Sequence, residues 1–355
     1  MQAALAALRE AIERYLARRW SHLENFRITG IQQIPGGASR ETYRLAAAFR
    51  EGGADAVRGF IFRRDPPSSL IDTNRALEYR TYEAVYPTTV PVPEPLVLEE
   101  DPGELERPFS IMAEIAGCET AITNFGIPPY AALREHIGAQ KWGILGTLAK
   151  MDPESLGVTK FMDVPNRADC ARRELDYWAG VIAADSLHPQ PIAAAAIRWL
   201  KRELPPAPKK LCLVHGDYRS GNFLYDTSGT IRGVLDWEMA HIGDPLEDLA
   251  WSLDPLWGWP EKHLAGGLLP RRRAIEIWRA ASGLKFDAEA FRWWQVFASI
   301  KGLAIWISST EDFANGSTKE PILAMAGWVM TDRQNRILVD RLAPDSEYRY
   351  AEPLA

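Results

Sequence analysis

Cysteine is scarce. The 355 residues hold three, Cys118, Cys170 and Cys212, widely spaced and without a CxxC pair. That speaks against a disulfide framework or a zinc site and fits a reducing cytoplasm. Basic charge is not in excess either: 41 Lys and Arg stand against 47 Asp and Glu, a net charge of −6. A nucleic-acid partner would want a basic face. No apolar run approaches the roughly 18 residues of a membrane span. The opening MQAALAALREAIERYLARRW lacks the unbroken apolar core of a signal peptide, and Glu10 and Glu13 argue against a transit peptide. No repeat or low-complexity segment is visible. These absences predict a cytoplasmic protein with no nucleic-acid partner and no membrane attachment.

What is present is an ordinary globular composition, 46% hydrophobic and 25% charged. The length allows two or three domains or lobes. The first twenty residues read as an amphipathic helix covering a sheet. FRITGIQQI, PGGAS and RETYRL then read as strand, glycine-containing loop and strand. Gly36 and Gly37 sit at that turn, where backbone N–H groups can come close to a phosphate; a plain hairpin turn uses glycines too. A third strand, Phe60 to Arg64, puts Ile61 and Arg63 on one face and Phe62 and Arg64 on the other.

DTNRALEYRTYEAVY reads as a helix with Asp72 or Thr73 as N-cap. Glu78, Tyr82 and Val85 share one face, so Glu78 stands in an apolar stripe. It is either a solvated edge residue or the partner of a cation, for which Arg63 is the candidate. A strand from Phe109 to Ile115 ends at Gly117, and beyond residue 118 the pattern is mostly helical. The chain thus divides into a β-rich lobe (1–112), a connector (113–117) and a helical lobe (118–355). Thirteen tryptophans, seven of them between Trp251 and Trp306, read mainly as core.

The chemistry gathers in residues 211–250. Leu211–Val214 delivers His215, Gly216 and Asp217 into a loop, Asn222 follows, and Ile231–Leu235 delivers Asp236. These two short strands are expected to lie side by side as a hairpin. Two carboxylates and an amide at strand ends suit a protein that holds a divalent metal and orients a hydroxyl. Taken singly, Asp217 and Asn222 could form an Asx turn and Asp236 could cap a helix. Asp244, before Pro245, reads as an N-cap.

HGDYRSGN and LDWEMAHIGDPLEDLAW resemble the aminoglycoside phosphotransferase family, which includes choline and homoserine kinases. PGGASRETY, the RR after strand three, EYR and SIMAEIAG extend the resemblance over nearly the whole chain. They bring it nearest the branch related to the kinase-like domain of acyl-CoA dehydrogenase family proteins. The resemblance implies an α+β, protein-kinase-like bilobal fold that uses ATP and Mg²⁺ to phosphorylate a hydroxyl of a small molecule. It implies Asp217 as the residue that orients or accepts the hydroxyl proton, and Arg219 at the transferred phosphate. Asn222 and Asp236 would hold Mg²⁺. Arg63, held by Glu78, would grip the nucleotide phosphates, with Arg64 the alternative. Gly36, Gly37 and Ser39 would cover the phosphates; Met112, Ala113 and Ile115 would meet adenine. His215 and Asp248 would brace the loop, while Glu238 and His241 could face the substrate. Asp152 departs from the family, where histidine is frequent. Arg271–Arg273, Lys301 and the tryptophans suggest a less cationic acceptor than an aminoglycoside, such as a hydroxyacyl-CoA or another catabolic intermediate. An antibiotic phosphotransferase and a catalytically idle kinase-fold binder are the alternatives.

Overall fold

In the computed structural model, residues 2–34, 41–64, 75–120, 125–261, 263–318 and 321–343 are described. They form two compact units, Met1–Cys118 with Arg232–Glu238, and Glu119–Ile231 with Met239–Ala355.

The first unit is built on a five-stranded antiparallel sheet. Helix α1 (Gln2–Arg19) precedes β1 (Glu24–Ile34), β2 (Glu41–Glu51) and β3 (Ala54–Arg64). Helices α2 (Arg75–Val85) and α3 (Pro102–Leu105) flank β4 (Pro95–Glu99), and β5 (Phe109–Ala113) closes the set; the strand order is β1-β2-β3-β5-β4. Alternate residues of β2, Tyr43, Leu45, Ala47 and Phe49, are buried. They meet Ile12, Tyr15 and Leu16 of α1 in one core with Phe26, Phe62 and Phe109. The amphipathic first helix therefore covers the sheet as expected.

Strand β3 begins earlier than the expected Phe60. Its first half has little to bury, and Val57 is 75% exposed. Pairing with β2 carries it, from Glu51↔Ala54 onward. Gly52 and Gly53, at φ 58° and 83°, make the two-residue turn between the strands, a conformation glycine adopts at little steric cost. The strand expected to reach Ile115 ends at Ala113.

In the second unit, β6 (Glu119–Thr120) leads to helices α4 (Arg134–Lys150), α5 (Cys170–Asp185) and α6 (Pro191–Arg202). Strands β7 (Cys212–Val214) and β8 (Phe223–Tyr225) follow, then β9 (Ile231–Val234), of which Ile231 belongs to this unit and the rest to the first. After β10 (His241–Gly243) come α7 (Pro245–Ser252), α8 (Arg271–Ser282), α9 (Ala288–Ala314) and α10 (Pro321–Leu342). The expected hairpin is not formed by β7 with residues 231–235. Strand β7 pairs antiparallel with β10, Leu213 opposite Ile242. Short apolar strands carry no label for their partner, and burial of both against the helices decides it. Trp142, Trp278, Trp293 and Trp294 are fully buried, whereas Trp259 is 48% exposed, so most of the tryptophans are core. Arg341, near the end of α10, is buried, with its guanidinium 2.9 Å from Asp254 and 2.6 Å from Ser299. Among the described residues no helix is long and apolar enough to cross a membrane.

Candidate active site

Gly216 sets the loop after β7. Its φ of 86° is left-handed, and a Cβ there would stand 2.4 Å from the Met239 carbonyl oxygen, so neither the backbone path nor the space admits a side chain. Asp248, in the first turns of α7, accepts the N–H groups of His215 at 2.6 Å and Gly216 at 3.0 Å. Nδ1 of His215 accepts the Asp217 N–H at 3.1 Å. Both residues thus frame the loop as expected. Asp244 caps α7 by accepting the Leu246 N–H at 2.8 Å.

Asp217 is held from three sides. Nε of Arg219 donates to its Oδ2 at 3.0 Å, and the Asn222 amide nitrogen donates to the same oxygen at 2.7 Å. The indole N–H of Trp251 donates to Oδ1 at 2.9 Å. Both side-chain hydrogen bonds of Asn222 leave from its nitrogen, to the backbone and the carboxylate of Asp217. Among the described residues its amide oxygen accepts no hydrogen bond and is of the type that could serve a hard cation. The Arg219 guanidinium lies over the Trp257 ring, 5.6 Å from its centroid.

Besides the Arg341–Asp254 pair, two further buried ionisable groups stand out among the described residues of the same unit. Nζ of Lys141 donates to Ser220 Oγ at 2.9 Å and faces the rings of Trp142 and Phe223. Burial, with Arg219 adding, lowers its pKa to about 7 against the pull of Asp217. Behind Trp251, Lys301 lies 3.2 Å from Glu247, whose other oxygen is 3.0 Å from His241 Nε2. Glu174 stands 3.7 Å from the same nitrogen. Burial works to lower the His241 pKa, but Glu174 and Glu247 outweigh it and raise it to about 10. Glu174, His241 and Glu247 have the spacing of a metal cluster. Two carboxylates against an imidazolium and an ammonium already balance, so a divalent ion would add uncompensated charge beside Lys301. His241, expected near the substrate, belongs to this ionic network. Lys301 was expected to lend the acceptor pocket positive charge; it is buried and committed to Glu247. Arg272 and Arg273 pair with Glu276 and Glu135 on the surface.

In the first unit, Arg63 forms a salt bridge with the buried Glu78. Arg64 is bound instead to Glu41 at 2.6 Å, which Arg107 also reaches at 3.3 Å. The alternation of β3 therefore selects Arg63 as the partner of Glu78. The Ala113 N–H donates to Glu94 at 2.9 Å and that of Glu114 to Gly59 at 2.9 Å. With its N–H used, the Ala113 backbone could meet a ligand only as an acceptor, through its carbonyl oxygen. Met112 is buried opposite Ile61. Gly36, Gly37, Ser39 and the caps Asp72 and Thr73 lie outside the described residues. Asp236 follows β9 at φ 69°, and its N–H donates to the Tyr82 hydroxyl at 2.9 Å. Its Oδ1 is buried and meets no hydrogen-bond donor among the described residues. A carboxylate oxygen in that condition fits a cation.

Asp217, Arg219 and Asn222 are thus brought together in the second unit, and Arg63 and Glu78 in the first. Trp251, Lys141 and Glu247 were not anticipated. For Trp251 no local signal exists; Lys141 sits on a helix face between Gly138, Trp142 and Leu145, and that charge in a buried stripe could have been flagged.

An antiparallel sheet unit, a helical unit and an HGD loop carrying a clamped aspartate are the parts of a protein-kinase-like α+β phosphotransferase fold. Residues 30–292 match the profile of the phosphotransferase enzyme family, and the chain belongs to that family. Its curated relatives include rat acyl-CoA dehydrogenase family member 11, 27% identical over 241 residues, which are 64% of this chain and 30% of the relative. The chain therefore spans under a third of that relative's length. A protein of Ralstonia eutropha provisionally labelled an aminoglycoside phosphotransferase superposes with a TM-score of 0.74 at 20% identity, covering 94% of this chain and 97% of its own. An aminoglycoside phosphotransferase captured with AMP-PNP and hygromycin B superposes with a TM-score of 0.56 at 17% identity, covering 92% and 98%.

Proposed function

We propose that this protein transfers the γ-phosphoryl group of ATP, with Mg²⁺, to a hydroxyl of a small molecule. The clamped Asp217 carries the reading. A carboxylate fixed at both oxygens, yet with an unused lone pair, is suited to receive the proton of an attacking hydroxyl. In that step the acceptor O–H bond breaks and an O–P bond forms. The bond from phosphorus to the leaving diphosphate oxygen breaks, and the proton passes to Asp217. Arg219, fixed on Trp257, neutralises charge at the transferred group. Asn222 and Asp236 each supply an oxygen ligand for Mg²⁺, which when bound offsets phosphate charge. Arg63, steadied by Glu78, takes the phosphate oxygens. Gly36, Gly37 and Ser39 are the proposed cover over the phosphates. Residues 113–117 are the proposed connector between lobes, with the Ala113 carbonyl, the Ile115 N–H and the Met112 side chain at adenine. One neighbour captured with AMP-PNP and another captured with ADP support nucleotide use.

For the acceptor, kinship with acyl-CoA dehydrogenase family members supports a hydroxyacyl-CoA or a related hydroxylated catabolic intermediate. The burial of Lys301 removes one argument for a basic pocket, so the acceptor rests on kinship alone. An antibiotic acceptor is the competing reading, supported by the neighbour bound to hygromycin B. The free thiols of Cys170 and Cys212 are compatible with a cytoplasmic site of action.

The deciding experiment screens hydroxyacyl-CoA thioesters, hydroxy acids and aminoglycosides for Mg²⁺- and ATP-dependent phosphorylation, with Asp217→Asn as control. A general base contributes roughly 10²–10⁴-fold, so the variant should lose at least about a hundredfold in kcat. Equal rates in the two proteins would refute the assignment. Preference for aminoglycosides would overturn the acceptor class. A folded protein with neither turnover nor an MgATP-dependent thermal shift would be the idle binder.

A further inference from the structure

The described hydrogen bonds to the Asp217 carboxylate leave its two oxygens unequal. Oδ2 accepts from Arg219 and from Asn222, at 3.0 and 2.7 Å. Oδ1 accepts only the Trp251 indole N–H, at 2.9 Å. An ionised carboxylate has about four acceptor positions, so Oδ2 is filled and Oδ1 has one left. The indole comes from α7, a helix capped by Asp244, which accepts the Leu246 N–H.

The ring that delivers it is itself held. Trp251 packs edge-on against Trp257 at 5.1 Å between centroids. The Lys301 ammonium lies 5.4 Å from its centroid, over the ring. Trp257 in turn carries the Arg219 guanidinium at 5.6 Å, and Arg219 returns to Asp217. The four side chains close a circuit: carboxylate, indole, indole, guanidinium. An aspartate alone turns freely about its last torsion, which is broad and roughly two-fold. Within the circuit it cannot turn without breaking the indole bond.

We infer that Trp251 is a positioning residue: its N–H fixes the Asp217 carboxylate so that the open lone pair of Oδ1 is the one that receives the acceptor's proton. The inference rests on the phosphotransferase reading above and names the reacting atom within it. Hydrogen bonds to charged groups are among the stronger ones in proteins, and a base turned away from its proton costs rate without weakening nucleotide binding.

The test uses the full chain with ¹⁵N-labelled tryptophan indoles and four proteins: the parent, Asp217→Asn, Trp251→Phe and Trp251→His. The indole resonance that vanishes in Trp251→Phe should be the one that moves most in Asp217→Asn. MgATP-dependent phosphorylation by Trp251→Phe should fall about 10- to 100-fold in kcat, with KM for ATP within twofold. Trp251→His, which restores a ring N–H, should recover part of the loss. If Trp251→Phe does not fold, Trp251→His supplies the resonance assignment and the Asp217→Asn shift decides. An indole resonance indifferent to Asp217→Asn overturns the inference, as does a folded Trp251→Phe with kcat within twofold of the parent. Equal turnover by the parent and Asp217→Asn marks failure of the phosphotransferase reading itself, and with it of the inference. Loss in Asp217→Asn without loss in Trp251→Phe marks failure of the inference alone.

Discussion

The ammonium of Lys301 lies 3.2 Å from Oε1 of Glu247, and each side chain is 2% exposed. Burial would raise the Glu247 pKa, but His241 and Lys301 hold it well below the usual carboxylate range. Removing one member of a buried pair leaves an uncompensated charge and typically costs 3–5 kcal/mol. Lys301→Met should therefore lower unfolding free energy by about 3 kcal/mol or more in a denaturant titration. The double variant Lys301→Met/Glu247→Leu should recover part of it. A single variant within about 1 kcal/mol of the parent would mean the pair is already neutralised by water.

Two groups drive stability in opposite directions above neutrality. His241, raised to about 10, holds a proton that the unfolded chain releases near 6.5. Its contribution is complete below about pH 6.5 and is lost as pH rises through 10. Lys141, lowered to about 7, is neutral in the folded state while the unfolded chain keeps its proton up to about 10.4. Its contribution grows as pH rises from 7 towards 10. Each slope approaches 1.4 kcal/mol per pH unit at most. The parent should be nearly flat between pH 7 and 10 as far as these two groups go. His241→Gln should uncover a rising curve and Lys141→Met a falling one, measured by urea midpoints at half-unit intervals. Curves for the two variants that run parallel to the parent would exclude both shifts.

Gly216→Ala should be among the costliest small substitutions in the chain. A left-handed alanine costs roughly 1–2 kcal/mol, and the added Cβ would stand 2.4 Å from a backbone oxygen that cannot swing away. A loss of at least about 2 kcal/mol and of nearly all turnover is expected. The check is a thermal melt beside a phosphorylation assay; an active, equally stable variant would show that the loop relaxes freely.

Asp236→Asn should separate stability from activity. The parent buries a carboxylate oxygen that meets no donor among the described residues, a cost that an amide reduces. The apo variant should melt at the same temperature or higher. Its Mg²⁺-dependent stabilisation by ATP should disappear, together with at least about a hundredfold of turnover. An unchanged MgATP shift would remove Asp236 from the metal site.

Much of this arrangement was legible along the chain. HGD, the asparagine five residues after the aspartate, and Asp236 at a strand end stand plainly in the sequence, while their roles follow from the resemblance and remain proposals. The alternation of FIFRR put Arg63 and Arg64 on opposite faces, and Arg63 meets Glu78. The frame roles of His215 and Asp248 also hold. Illegible were the partner of β7, the early start of β3 and the fate of Lys301. A three-residue strand reads alike whichever strand it joins, and β3 is extended by its ladder with β2, to which side-chain pattern is blind. A lysine in an aromatic helix reads equally well as pocket or as buried pair until its carboxylate is located.

The sequence by itself determined what acts through a few residues of backbone: the loop that needs glycine at position 216, the asparagine whose nitrogen reaches back to Asp217, and the aspartate that caps α7. Tertiary structure alone decided what acts across long separations. Trp251 meets Asp217 across 34 residues, Lys301 meets Glu247 across 54 and Lys141 meets Ser220 across 79. Short-range geometry is constrained by φ and ψ and repeats wherever the motif does. Long-range contacts exist only once helices have packed, and packing is chosen by the fit of the whole core.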